Sequence, residues 1–172
     1  MSKSLSGNAN ANLNVTDLMT FLREVGDTGQ NDLGIQFDNR TDYNFKINYE
    51  VLHGRFDQFI GTSDLQPYIP GESHNKEHMY DMAFQGAGSY GVQVIINISN
   101  QTHGGKYYMM IGTPDNKKTY IRGVANDAKG TRKISKHRSN KGIVTYKYDK
   151  FKFEVTLTNA SPSECHIMIL PN

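Results

Sequence analysis

The sequence predicts a mainly β fold, a β-sandwich of about ten strands with one short amphipathic helix packed on it near the N-terminus. Three features carry this expectation. Apolar residues alternate with polar ones over much of the chain after residue 33, turn-forming clusters separate these runs, and no strand–helix–strand rhythm interrupts them. A chain of 172 residues reads as one domain, large enough to bury a core without staples. Its single cysteine, Cys165, excludes an intramolecular disulfide. It lies in an apolar run and reads as a small core residue.

Taken in order, residues 1–13 are rich in Asn, Ser, Ala and Gly and read as a flexible polar arm ahead of a single domain over 14–172. Val15, Leu18, Met19, Leu22 and Val25 follow the i, i+3, i+4, i+7 spacing. They predict a helix over 15–25, started by Asn14 or Thr16 and ended by Gly26. From Leu33 the period changes to two: Leu33, Ile35 and Phe37 alternate, and so do Tyr43, Phe45, Ile47, Tyr49 and Val51. Residues 54–77 hold Gly61, Pro67, Pro70 and Gly71 and read as a long loop with at most short extended pieces. A strand over 79–84 leads into the densest apolar stretch, where 92–98 and 107–111 flank a turn at 100–105 and predict a central hairpin. Further strands are expected at 119–124, 143–148, 151–158 and 166–170.

Several motifs test other classes. Gly86, Gly88 and Gly91 spell G-x-G-x-x-G, but the β-branched run after them is a strand rather than the helix that cradles a dinucleotide. His74 and His78 fit H-x-x-E-H, a zinc-hydrolase spelling that needs a helix to align its imidazoles. Here it lies between a Pro/Gly loop and a strand, and the histidines read as surface groups. No G-x-S-x-G occurs and the acidic residues show no pairing, so neither an enzyme, a cofactor nor a metal is expected.

Nineteen basic against seventeen acidic side chains give near balance, so clustering matters more than net charge. Lys129, Arg132, Lys133, Lys136, His137, Arg138 and Lys141 form the densest basic patch. It reads either as a solvated loop or as a surface for anionic lipid or phosphate, worth about 1 kcal/mol per cation near a charged membrane. It lacks the interleaved aromatics of a single-strand platform, so nucleic acid is not an expected partner. Ten Tyr and no Trp suit sugar sites and membrane interfaces, with Tyr68, Tyr90, Tyr107, Tyr108 and Tyr120 bordering loops. The N-terminus lacks the apolar core of a secretory signal and no stretch is long enough to span a bilayer. The expectation is a soluble protein, released or secreted without a recognisable signal, whose membrane role is conditional.

The order of segments resembles the actinoporin family of sea-anemone cytolysins. The likeness runs from the helix ending at Gly26 through Leu33-Gly34-Ile35-Gln36-Phe37-Asp38-Asn39, Gly61-Thr62-Ser63-Asp64 with Pro67 and Pro70, Ser89-Tyr90-Gly91-Val92 and Gly112-Thr113-Pro114-Asp115, covering about residues 14–125. The resemblance implies a β-sandwich flanked by helices that binds phosphocholine headgroups and then moves its N-terminal helix into the bilayer to form an oligomeric pore. It would place headgroup contacts at Thr62 or Ser63, Tyr90 or Val92, Gly112 and Pro114, and the inserting face at Val15, Leu18, Met19, Leu22 and Val25. Gly112 stands where that family has a hydroxyl residue, and the basic patch stands where it has tyrosines. Fungal fruiting-body lectins of the same superfamily bind sugars without making pores, so glycans are the alternative partner to lipid headgroups.

Overall fold

The computed structural model describes residues 32–87, 91–113, 118–159 and 163–172. The arm over 1–13, the helix over 15–25, Tyr90 and Pro114 lie outside the described residues.

Twelve strands in the described residues make two six-stranded sheets. They are β1 (Leu33–Asn39), β2 (Phe45–His53), β3 (Arg55–Gly61), β4 (Asp64–Leu65), β5 (Met79–Gln85), β6 (Gln93–Asn100), β7 (Lys106–Gly112), β8 (Tyr120–Ala125), β9 (His137–Arg138), β10 (Val144–Lys147), β11 (Phe151–Leu157) and β12 (Ser163–Pro171). The first sheet runs β10-β11-β12-β1-β5-β3 and the second β4-β2-β6-β7-β8-β9. β1 pairs parallel with β12 and antiparallel with β5. The core fills the space between the sheets, with Leu33, Ile35 and Phe37 from β1 meeting Val94, Ile96 and Ile98 from β6 and Phe153 and Ile167 from the flanking strands. Cys165 is fully buried there, and burial raises its thiol pKa, as the core assignment requires.

The central hairpin is present as β6 and β7, paired from Gln93↔Gly112 to Ser99↔Lys106. Its turn is closed by Asn100, whose Oδ1 accepts from the N–H groups of Thr102 and His103 at 3.0 Å each. The G-x-G-x-x-G stretch joins β5 to β6, strand to strand. Gly91 has φ +59°, and a Cβ there would lie 1.8 Å from the Thr113 carbonyl oxygen, so only glycine lets the chain pass so close to the end of β7.

The expected loop over 54–77 is corrected by β3, a full edge strand of the first sheet. Its register shifts between Phe56 and Gln58, a bulge that breaks the alternation by which strands are recognised. Gly54, at φ +83°, turns the chain from β2 in one sheet to β3 in the other. A second correction concerns the histidines. His78 is buried as the last residue of a short 3-10 turn, Lys76–His78, and its ring lies 5.1 Å from that of His74.

Candidate functional site

The sheet topology sorts the predicted site residues into different places. Val92 is fully buried in the core. Gly112 is the floor beneath Tyr120, since a Cβ there would come within 2.6 Å of the ring. Ser63 offers its carbonyl to the Ile47 N–H at 2.8 Å, and the Thr62 hydroxyl accepts from Asp64 N–H at 3.1 Å, so these two close the turn before β4. Ile47 is opposite Ile98, six positions along β6 from Val92, or about 20 Å at 3.3 Å per residue. The four described members of the expected headgroup set therefore do not meet in one pocket.

The H-x-x-E-H pair is brought together with other groups, but as a clamp on the 66–78 loop. His74 Nε2 faces Asp38 Oδ1 at 2.6 Å, Arg40 reaches the same carboxylate at 3.1 Å, and His78 Nδ1 contacts the Gln66 carbonyl at 3.1 Å. Tyr68 packs edge-on against both imidazoles. Desolvation lowers the His74 pKa, with Asp38 opposing the shift. Among the described residues no group of three or more His, Cys, Asp or Glu is placed to hold a metal ion.

The basic patch is the predicted feature that the fold turns into a surface. Residues 126–136 leave β8 and return across the outer face of the second sheet. Arg122 pins them there, its Nη1 donating to the carbonyls of Arg132 and Ile134 at 2.8 Å each. Thr131 is buried and donates its hydroxyl proton to the Ala128 carbonyl at 2.6 Å. The Lys136 ammonium sits 4.3 Å from the Tyr120 ring centroid, a cation–π distance, and the Tyr120 hydroxyl accepts from Gln93 Nε2 at 2.8 Å. At β9, His137 contacts the Gly142 carbonyl at 2.8 Å, and Arg138 Nη1 donates to the Lys118 carbonyl at 3.4 Å.

The loop is thus held by backbone carbonyls, which accept hydrogen bonds without cancelling charge. Lys118, Lys129, Arg132, Lys133 and Lys141 are exposed, and among the described residues none of them is in an ion pair. Ile143, 58% exposed, follows Lys141 and Gly142 on the approach to β10. Exposed cations and an exposed aliphatic side chain next to them in sequence are what an anionic, partly apolar surface would contact. Ile143 carried no signal in the sequence, because it opens an alternating run and reads there as a strand residue. Among the described residues no helix is long and apolar enough to cross a membrane.

No protein-family model matches this chain, and no curated protein matches its sequence. Its fold is similar to that of a solved structure of the lipid binding protein Nakanori, at a TM-score of 0.68 and 10% identity over 90% of this chain and 77% of that one. A weaker likeness is to IP-1A from Alcaligenes faecalis, at a TM-score of 0.41 and 10% identity over 83% of this chain and 92% of that one. At such identities the finding concerns architecture: the chain has the two-sheet β fold of Nakanori.

Proposed function

We propose that this chain is a non-enzymatic lipid-binding protein that docks on membranes through the 118–143 surface. The observation that carries the reading is the run of exposed cations without ion-pair partners among the described residues, followed in sequence by exposed Ile143. The shared fold with a lipid binding protein supports it, as does the order of motifs that resembles the actinoporins. In its full form the proposal adds that the segment over 15–25 leaves the sandwich after docking, inserts into the bilayer and self-associates as a pore. The test is sedimentation with vesicles of phosphatidylserine and phosphatidylcholine, followed by dye release from the same vesicles. Binding with release supports the whole reading, binding without release limits it to lipid recognition, and no binding to any composition removes it.

A lectin-like reading has one observation of its own. Tyr49 and Phe59 are 39% and 36% exposed, and with Phe56 between them they form stacked contacts at 5.2 and 6.5 Å along the open β2–β3 side. Exposed rings of this kind suit sugar stacking. Retention on a glycan array, lost in Phe59→Ala, would favour it.

A further inference from the structure

The 66–78 loop runs from β4 in the second sheet to β5 in the first, and backbone hydrogen bonds tie both of its ends. Gln66 N–H donates to the Glu77 carbonyl at 2.8 Å and Tyr68 N–H to the Thr41 carbonyl at 2.7 Å. The Gln66 carbonyl also accepts from Asn39 Nδ2 at 3.0 Å. Between these ties residues 69–73 are exposed. Gly71, at φ +95°, has nothing within 4 Å of a Cβ placed there, and Glu72 N–H bonds inside the loop itself, to the Ile69 carbonyl at 3.1 Å. What fastens the tip is the next side chain, His74.

His74 is 13% exposed and meets Asp38 Oδ1 at 2.6 Å. The approach is not aligned as a hydrogen bond, for Nε2 is buried without a hydrogen-bond partner among the described residues. It is an electrostatic contact. Arg40 Nε already spans both oxygens of that carboxylate, at 3.1 and 3.2 Å, and its guanidinium carbon lies 5.7 Å from the Tyr68 ring centroid. Tyr68 meets the His74 and His78 rings edge-on at 5.2 and 5.5 Å, and the two imidazoles are 5.1 Å apart. With uncharged imidazoles the cluster is balanced, Asp38 against Arg40. A proton on His74 adds a positive charge to a carboxylate that is already matched.

We propose that His74 is an acid-released latch: uncharged, it holds residues 69–75 against the end of β1, and on protonation it lets them lift, uncovering Asp38 and the Tyr68 ring beside exposed Ile69. The latch is a property of the loop alone and does not rest on lipid binding. Desolvation lowers the His74 pKa from its ordinary value of 6.5; the Asp38 charge opposes the shift, and the Arg40 and His78 charges add to it. Asp81, on the strand beside Asp38, keeps its proton up to about 8 and brings no charge at lower pH. β12 places Met168 opposite Asp38. Of the loop's own charges, Glu72 and Glu77 are exposed and Lys76 is half-buried.

Lifting returns His74 to water, where it titrates near 6.5. Between its lowered pKa and 6.5 the closed form then binds fewer protons than the lifted one. Closing is firm above 6.5 and loses up to tenfold in its equilibrium constant per pH unit as pH falls through that window.

A spin label on Ser73→Cys, in full-length Cys165→Ser protein without lipid, reads the loop's mobility from pH 7.5 to pH 5. The label should be slow at pH 7.5 and fast at pH 5, reversibly, with its midpoint below 6.5 and with unchanged sheet content by circular dichroism. In Asp38→Asn it should be fast already at pH 7.5. In His74→Gln its mobility should be the same at both ends of the range, whereas His166→Gln should keep the acid transition. Where His74→Gln does not fold, the ring resonance of His74 in the unsubstituted chain decides: it must titrate below 6.5 and together with the label. No change of mobility with pH, a transition that survives His74→Gln, a His74 titration at or above 6.5, or release only as the sheets melt would each overturn the proposal. No membrane enters the measurement, so its failure leaves lipid binding standing, and failure of vesicle binding leaves this result intact.

Discussion

The outer faces of the two sheets differ in where each puts its charge. On the second sheet the chain covers its own strands with residues 126–136, satisfies Arg122 and Thr131 inside, and turns the lysines outward. On the first sheet the acid is inside: Asp81 and Gln58 are buried with unmet hydrogen-bonding atoms. The second sheet also keeps an unmet atom, Asn97 Oδ1, but on a neutral amide, whereas the first buries an ionisable carboxyl, which costs more to leave unpaired. The first arrangement presents a constant basic surface and the second holds an acid in its neutral form at pH 7.

The largest expected effect breaks the second half of this contrast. Asp81→Leu should be more stabilising at pH 8 than at pH 5, by up to about 4 kcal/mol at 1.4 kcal/mol per pH unit. The sign follows from the raised pKa: the folded carboxyl keeps its proton up to about 8, the unfolded one loses it near 3.8, and wild-type stability falls between the two. Urea unfolding at the two pH values measures the difference, and an equal gain at both would show that Asp81 is not held neutral.

Next in size is a test of the basic surface. Changing Lys129, Arg132 and Lys133 together to Gln should weaken binding to phosphatidylserine vesicles by about a hundredfold, at roughly 1 kcal/mol per cation. It should leave thermal unfolding nearly unchanged, because exposed side chains away from special contacts contribute little to stability. Sedimentation at one ionic strength checks the first part and calorimetry the second.

Arg122→Ala sharpens the claim that the cover is built in. It strands the Arg132 and Ile134 carbonyls and should cost about 2 kcal/mol, with faster hydrogen exchange confined to residues 126–136. The smallest effect is expected from Gly112→Ala, about 1 kcal/mol, since the added carbon meets the ring of Tyr120 and that ring must shift. A change of the Tyr120 and Lys136 resonances, with the core unmoved, is the expected signature.

Much of this architecture was legible in the chain because half-buried strands write a period of two. Phe45 and Ile47, and Phe153 and Val155, alternate with polar neighbours and face the core. β3 was hidden because its bulge puts Phe56 and Phe59 out of step. The basic patch was visible as composition, but not its backing: no sequence pattern says that Arg122 spends its charge on two carbonyls. Asp81 was invisible for a related reason. In a strand reading Met-Tyr-Asp-Met-Ala-Phe, an aspartate on the face away from the core looks solvated, and nothing in the local pattern says that it is buried. Of the headgroup positions carried over from the resemblance, the four described ones, Thr62, Ser63, Val92 and Gly112, lie apart because Val92 and Gly112 serve the core and the Tyr120 ring.

The most direct test of the account asks which side of the sandwich meets a membrane. β10 and β3 are the opposite edges of the first sheet, and Cys165 is the only native cysteine, so Cys165→Ser gives a background for one label at a time. An environment-sensitive fluorophore on Ile143→Cys should shift to shorter wavelength on adding phosphatidylserine vesicles, while the same fluorophore on Phe59→Cys should not change. A shift at Phe59 with none at Ile143 would contradict docking through the basic surface and move the contact to the aromatic edge.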